Sequence, residues 1–346
     1  MPKTSFLRAC ACLIFAAVLV TGCGGGSGGG SGSMPGKSSF TAGPITSTGA
    51  GTVTVKGTSF NVSRASISGD GGTHGAADLK LGMQTEIKAG EITTDAAGSH
   101  SQASDVLVTS AIIGPVDEID TSTRLLIVLG QTIDVLDTTV FDTRFPNGPF
   151  SIAVGDVLQI FATLDTTTGH YVATRIEPAI DAPLFQLRGV VADLDKQART
   201  FTIGGQNISC INLSDNEIPA NLANGMEVIV KLQKTPVDGA WIAVEVKTPA
   251  PQLAEHNEIQ VKGRVTSITS PTQFEVASIP VDASGAKIEG TISLGADVKV
   301  NGSMVNGILI ATKVETDHDD EHDNHEKDKH EKDKHGDDDE HGDRND

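Results

Sequence analysis

Between residues 43 and 316 one short pattern returns four times, and a chain that repeats itself at a fixed period must fold as repeated units. One marker is a glycine followed two residues later by an apolar residue: Gly43/Ile45, Gly114/Val116, Gly189/Val191 and Gly263/Val265, spaced 71, 75 and 74 residues apart. A second is a glycine that opens an alternating stretch, at Gly82, Gly155, Gly225 and Gly295, with spacings of 73, 70 and 70. A third closes each unit as Ala-x-x-apolar: Ala103/Val106, Ala173/Ile176, Ala243/Val246 and Ala311/Val314. Three markers kept in one order divide the body into units at residues 43–110, 111–183, 184–253 and 254–316.

Within a unit the apolar period is two, as in Met226-Glu227-Val228-Ile229-Val230-Lys231-Leu232 and Trp241-Ile242-Ala243-Val244-Glu245-Val246-Lys247, which predicts strands rather than helices. Asp238-Gly239, Thr168-Gly169 and Asn306-Gly307 fall between the last two strands of three units, where a hairpin needs residues that tolerate positive φ. Gly204-Gly205 joins an earlier pair in the same way. The count is about five short strands per unit, with an irregular middle segment such as Asn212 to Asn224 that has room for a helical turn. Five strands in a unit of this size predict an all-β fold of small barrels, OB-like or SH3-like, because closure removes exposed sheet edges. Such small cores are marginal alone, so neighbouring units are expected to pack in pairs. The joints Pro178 to Pro183 and Pro249 to Pro251 are stiffened by proline.

The amino end carries a different signal. Lys3 and Arg8 precede an apolar run, Ala9 to Val20, too short for a permanent membrane span, and Val20-Thr21-Gly22-Cys23 then opens into glycine and serine. This string resembles a bacterial lipobox. The resemblance implies a signal peptide at residues 1–22 and lipidation of Cys23, with several acyl chains at about 0.8 kcal/mol per buried methylene holding the protein on a membrane. An ordinary cysteine behind a cleaved secretory signal is the plainer alternative. Residues 23–42 read as the lipidated cysteine and a flexible Gly/Ser tether. Gly24 rather than Asp after Cys23 implies, by the same resemblance, the outer membrane of a cell envelope.

With the lipobox, tether and tandem G-x-V, G-x-x-V and A-x-x-V signatures in view, the chain resembles the bacterial domain-of-unknown-function 5666 family over roughly residues 43 to 316. The resemblance implies an architecture and carries no activity onto particular residues.

Loss of residues 1–22 removes Lys3 and Arg8 and takes the formal charge from −19 to −21. No basic stripe accompanies that charge, so nucleic acid is not an expected partner. The expected partners are the membrane, through Cys23, and a protein or polymer of the envelope. Cys10 and Cys12 leave with the signal, which makes Cys210 the one thiol free to react and rules out an intrachain disulfide. Cys210 aligns with Val62, Val135 and Val281, core-facing positions where a thiol stands in for valine.

Residues 317–346 hold 15 Asp/Glu against 5 Lys/Arg and read as a disordered, solvated tail. His318, His322, His325, His330, His335 and His341 lie among those acids, at spacings of 4, 3, 5, 5 and 6. Imidazole with nearby carboxylates suits zinc, nickel or copper, and the uneven spacing favours weak, exchangeable binding over a fixed tetrahedral site. His74, His100, His170 and His256 stand alone in predicted loops. Asp117 with Asp120, and Asp193 with Asp195, recur beside the first strand of successive units and read as solvated hairpin faces rather than paired catalytic acids. Gly25-Gly26-Ser27-Gly28-Gly29 matches a nucleophile elbow in letters only, since it lies in the tether. The expected function is therefore non-enzymatic: an envelope lipoprotein that is structural or binds through its β units, or, alternatively, one that buffers transition metals with its tail.

Overall fold

The computed structural model describes residues 37–316 except 71, 250 and 252. Among the described residues strand makes up 59% and helix 3%, the helix being two 3-10 turns at Ala76–Asp78 and Gly148–Ser151, so the fold is all-β. In the third unit the corresponding middle segment, Asn212 to Asn224, forms turns with no helix.

Each unit is a five-stranded ring. In the first, Ser38–Gly49 pairs with Thr52–Val55, which pairs with Thr58–Asn61. Thr58–Asn61 runs parallel to Gly98–Val108, which pairs with Gln84–Gly90, and that strand returns to Ser38–Gly49. The order is first, second, third, fifth, fourth and back to the first. The second and fourth units close by the same links. In the third unit the first strand is broken at Val191 into Phe185–Val190 and Ala192–Asp195, and the remaining links are kept. Parallel pairing of third and fifth strands is the Greek-key arrangement of an OB barrel, so the choice left open by the sequence falls to OB-like.

All three sequence markers have a physical cause here. The first glycine lies under the hairpin joining the second and third strands. A Cβ at Gly114 would stand 2.4 Å from Leu129 Cγ, and one at Gly189 would stand 2.4 Å from Ile203 Cγ2, so only hydrogen fits. The second glycine is the third residue of a tight turn, with φ of 83°, 90°, 87° and 81° at Gly82, Gly155, Gly225 and Gly295, as a type II turn requires. Its N–H donates to the carbonyl of Ile45, Val116, Val191 or Val265, in each case at 2.8 Å, and so ties the second marker to the first. The third marker has an odd spacing, which would place Ala and its partner on opposite faces of a regular strand. Both are nevertheless buried, because a bulge at Ser104, Thr174, Val244 or Thr312 absorbs one residue.

The units join in two ways. The second and third share one antiparallel seam, Ile112 opposite Leu187, and one continuous apolar core running from Ala111 to Val246. The first does not pair strands with its neighbour but with the fourth, through the parallel register of Ser38 to Thr41 against Ile259 to Lys262. Residues 38–42, assigned to the tether by composition, are thus the leading part of a strand, and Phe40 is buried in the fourth unit's core. Behind a stretch rich in Gly and Ser, the single aromatic Phe40 supplies the apolar anchor that draws this segment into the sheet.

Candidate functional site

The barrel interiors are filled with side chains, including the fully buried Phe60, Leu158, Phe201 and Ile45. The open space lies between barrels. A cleft of about 620 Å³ is lined by residues of all four units, among them Glu86, Tyr171, Arg188, Glu227 and Arg264.

Arg188 is the hub of this cleft. Its strand, Phe185–Val190, presents the guanidinium to Glu227 of the neighbouring strand, and Nε and Nη2 each donate at 3.0 Å to the two carboxylate oxygens. Such a two-pronged pair is among the stronger charge-assisted contacts. Glu86 of the first unit approaches Arg188 Nη1 at 4.0 Å. The Ser278 hydroxyl of the fourth unit donates to Glu227 at 3.1 Å. The Tyr171 hydroxyl of the second unit donates to the Arg188 carbonyl. One residue therefore touches every unit, either directly or through Glu227.

Burial sets the electrostatics of the cleft. It pushes the Glu86 carboxyl above its ordinary value, and Arg188 only partly offsets this. Burial also pushes Glu227 up, but the Arg188 charge, with hydrogen bonds from Arg188 and Ser278, outweighs it and leaves the group below its usual range. Glu275 is raised by burial and by the neighbouring Glu227 charge. Burial pushes the Tyr171 phenol up as well, so it stays protonated as a donor.

Cys23, the Ser27 pattern and His318, His322, His325, His330, His335 and His341 lie outside the described residues. Cys210 is buried in the core shared by the second and third units, as its counterpart Val281 is in the fourth unit's own core, and burial pushes its thiol up to about 11, so it is a poor nucleophile. Asp120 accepts from the backbone and hydroxyl of Ser122, which with Thr123 hold its carboxyl down at about 2, and Asp195 accepts from the N–H groups of Gln197 and Ala198. Asp117 and Asp193 accept from Gly130 N–H and the Thr202 hydroxyl. These four acids hold hairpins and do not face one another as a pair. His170 contacts Asp134 at 3.2 Å. His100 lies within the strand Gly98–Val108 and His256 opens the strand His256–Ser270, rather than sitting in loops. Among the described residues no group of three or more His, Cys, Asp or Glu is placed to hold a metal ion, and no helix is long and apolar enough to cross a membrane.

The fold and its shared cleft define a class: a tandem array of OB-type barrels packed around one cleft that carries charged side chains. Residues 42–92, 113–177 and 262–315 each match the family described as Domain of unknown function (DUF5666), so the chain carries tandem units of that family. The third unit, with its broken first strand, is the one outside those segments. A solved structure of Drosophila Unr, titled drosophila Unr CSD456, aligns at 15% identity over 61% of this chain and 98% of its own, with a TM-score of 0.15. No curated protein matches the chain.

Proposed function

We propose that this protein is a non-enzymatic, lipid-anchored lipoprotein of the bacterial envelope whose tandem units act as a rigid binding scaffold. The observation that supports it best is the position of the cleft: each barrel fills its own interior, and all four contribute walls to one space between them that carries charged side chains. Glu227 is clamped by both prongs of Arg188, which leaves it poorly suited to act as a nucleophile or proton carrier and favours binding over catalysis. The anchor is read from Val20-Thr21-Gly22-Cys23, and Gly24 after that cysteine supports the outer membrane as its location.

Expression of the full chain and of Cys23→Ser with a clickable palmitate analogue, followed by membrane fractionation, tests the anchor. Label and membrane association should both be lost in the variant. Equal labelling of the two chains would overturn the lipoprotein reading. A second reading gives the work to the tail, on the strength of its six histidines among acids. Calorimetry with zinc, nickel and copper, comparing the full chain with one ending at Thr316, tests it. Micromolar binding that disappears with the tail would support metal capture, and equal heats would remove it.

A further inference from the structure

The fold leaves several charges in the cleft without a full partner. Arg264 donates through Nε to the Gly295 carbonyl at 2.8 Å, and it enters no ion pair among the described residues. The Glu275 side chain, which lines the same cleft, makes no hydrogen bond or ion pair among the described residues. Glu86 is largely buried, at 13% side-chain exposure, and its ion-pair partner Arg188 is 4.0 Å away and already held by Glu227. Half-satisfied charges in a sheltered space are costly and call for an explanation.

A cation alone would leave Arg264 unanswered, and an anion alone would meet the carboxylates of Glu86 and Glu275. A sugar would find no free aromatic face, because the Tyr171 ring is buried. A ligand with both charges answers both sets. Thr109, Thr163, Asn221 and Ser267 add hydroxyl and amide groups suited to a peptide backbone, and about 620 Å³ falls in the range of pockets that enclose molecules larger than a single amino acid. We propose that this cleft binds a short peptide with both termini free, its carboxylate at Arg264 and its ammonium at Glu86 and Glu275. This rests on the reading of the tandem units as a binding scaffold and names the ligand class.

The full chain, kept in detergent, would be titrated calorimetrically with tri- and tetra-alanine carrying free termini, and with the same peptides N-acetylated, C-amidated or both. Free peptides should bind, and each cap should weaken binding by about tenfold or more, since each removes a charge-assisted contact. Arg264→Gln should abolish the preference for a free carboxylate while keeping that for a free amine, and Glu275→Gln should do the reverse. Equal binding of capped and free peptides would overturn the charge assignment. Absence of binding by every peptide, with the chain shown folded by circular dichroism, would overturn the ligand class. If a variant fails to fold, the capping series on the unaltered chain still decides. The palmitate experiment has a separate readout, so loss of the anchor and loss of the peptide site cannot be confused.

Discussion

The seam between the second and third units and the seam between the first and second are built from opposite materials. Across the former, Ile112 and Leu187 meet in a core common to both barrels. Across the latter, one aromatic, Phe161, enters the first unit's core, and the rest is polar, neutral hydrogen bonds from Gln84 to Thr163 and Thr174 standing beside charged groups. Arg175 donates to Glu177 at 2.6 Å and to the Leu81 carbonyl at 3.0 Å, while Lys80 reaches Glu177 at 3.2 Å. Apolar seams merge cores and gain cooperativity, whereas charged seams fix orientation and are easily broken by loss of one partner. The difference teaches that a tandem array can contain one fused pair and two attached barrels without any change in the fold of its units.

The charged seam should give the largest effect. Arg175→Met leaves Asp142 and Glu177 with less compensation in a buried place and should cost about 3–5 kcal/mol, measured by urea unfolding. Because the pair is buried, the loss should persist at 1 M salt. A loss that vanishes in salt would mean that the seam is open to solvent. The apolar seam should respond less to a small change: Ile112→Val should cost about 0.5–1.5 kcal/mol and move the second and third units together. Separate transitions for those two units would break the comparison.

Within the fused pair, Cys210→Val restores the residue of the other three units and should change stability by less than about 1.5 kcal/mol. The native thiol should resist an aromatic disulfide reagent at pH 8 and react once the chain is unfolded. Rapid native labelling would show that this core opens readily. The smallest effect concerns the exposed hairpin at Asp120. Its carboxyl is held down at about 2, below its unfolded value, so its contribution is present above the unfolded value and lost as pH falls towards 2. Asp120→Ala should remove that acid-range component from a melting-temperature profile and leave the profile near pH 7 almost unchanged.

Much of this architecture was legible in the sequence because its cause is local. A close approach at Gly114 and Gly189, a positive φ at Gly155 and a bulge behind Ala173 each demand a particular residue at a fixed place, and the last two recur in each unit. The neighbour rule for pairing was only half right. The second unit pairs with the third, but the first pairs with the fourth through backbone groups of Ser38 to Thr41, which any side chains can supply. The cleft was not legible for a related reason. Arg188 precedes Gly189, Arg264 follows Gly263, Glu227 lies two residues past Gly225 and Glu86 four past Gly82, so its charges occupy non-equivalent repeat positions. A reading that averages over repeats discards them.

Native-state hydrogen exchange on the full chain tests most directly whether the second and third units are one cooperative body and the others are attached to it. Slowly exchanging amides of Ile160, Ala173, Val230 and Val246 should share one opening free energy, and those of Val261 and Val300 in the fourth unit should open separately at a lower one. Different opening energies within the second and third units, or a single value across all four, would contradict the account.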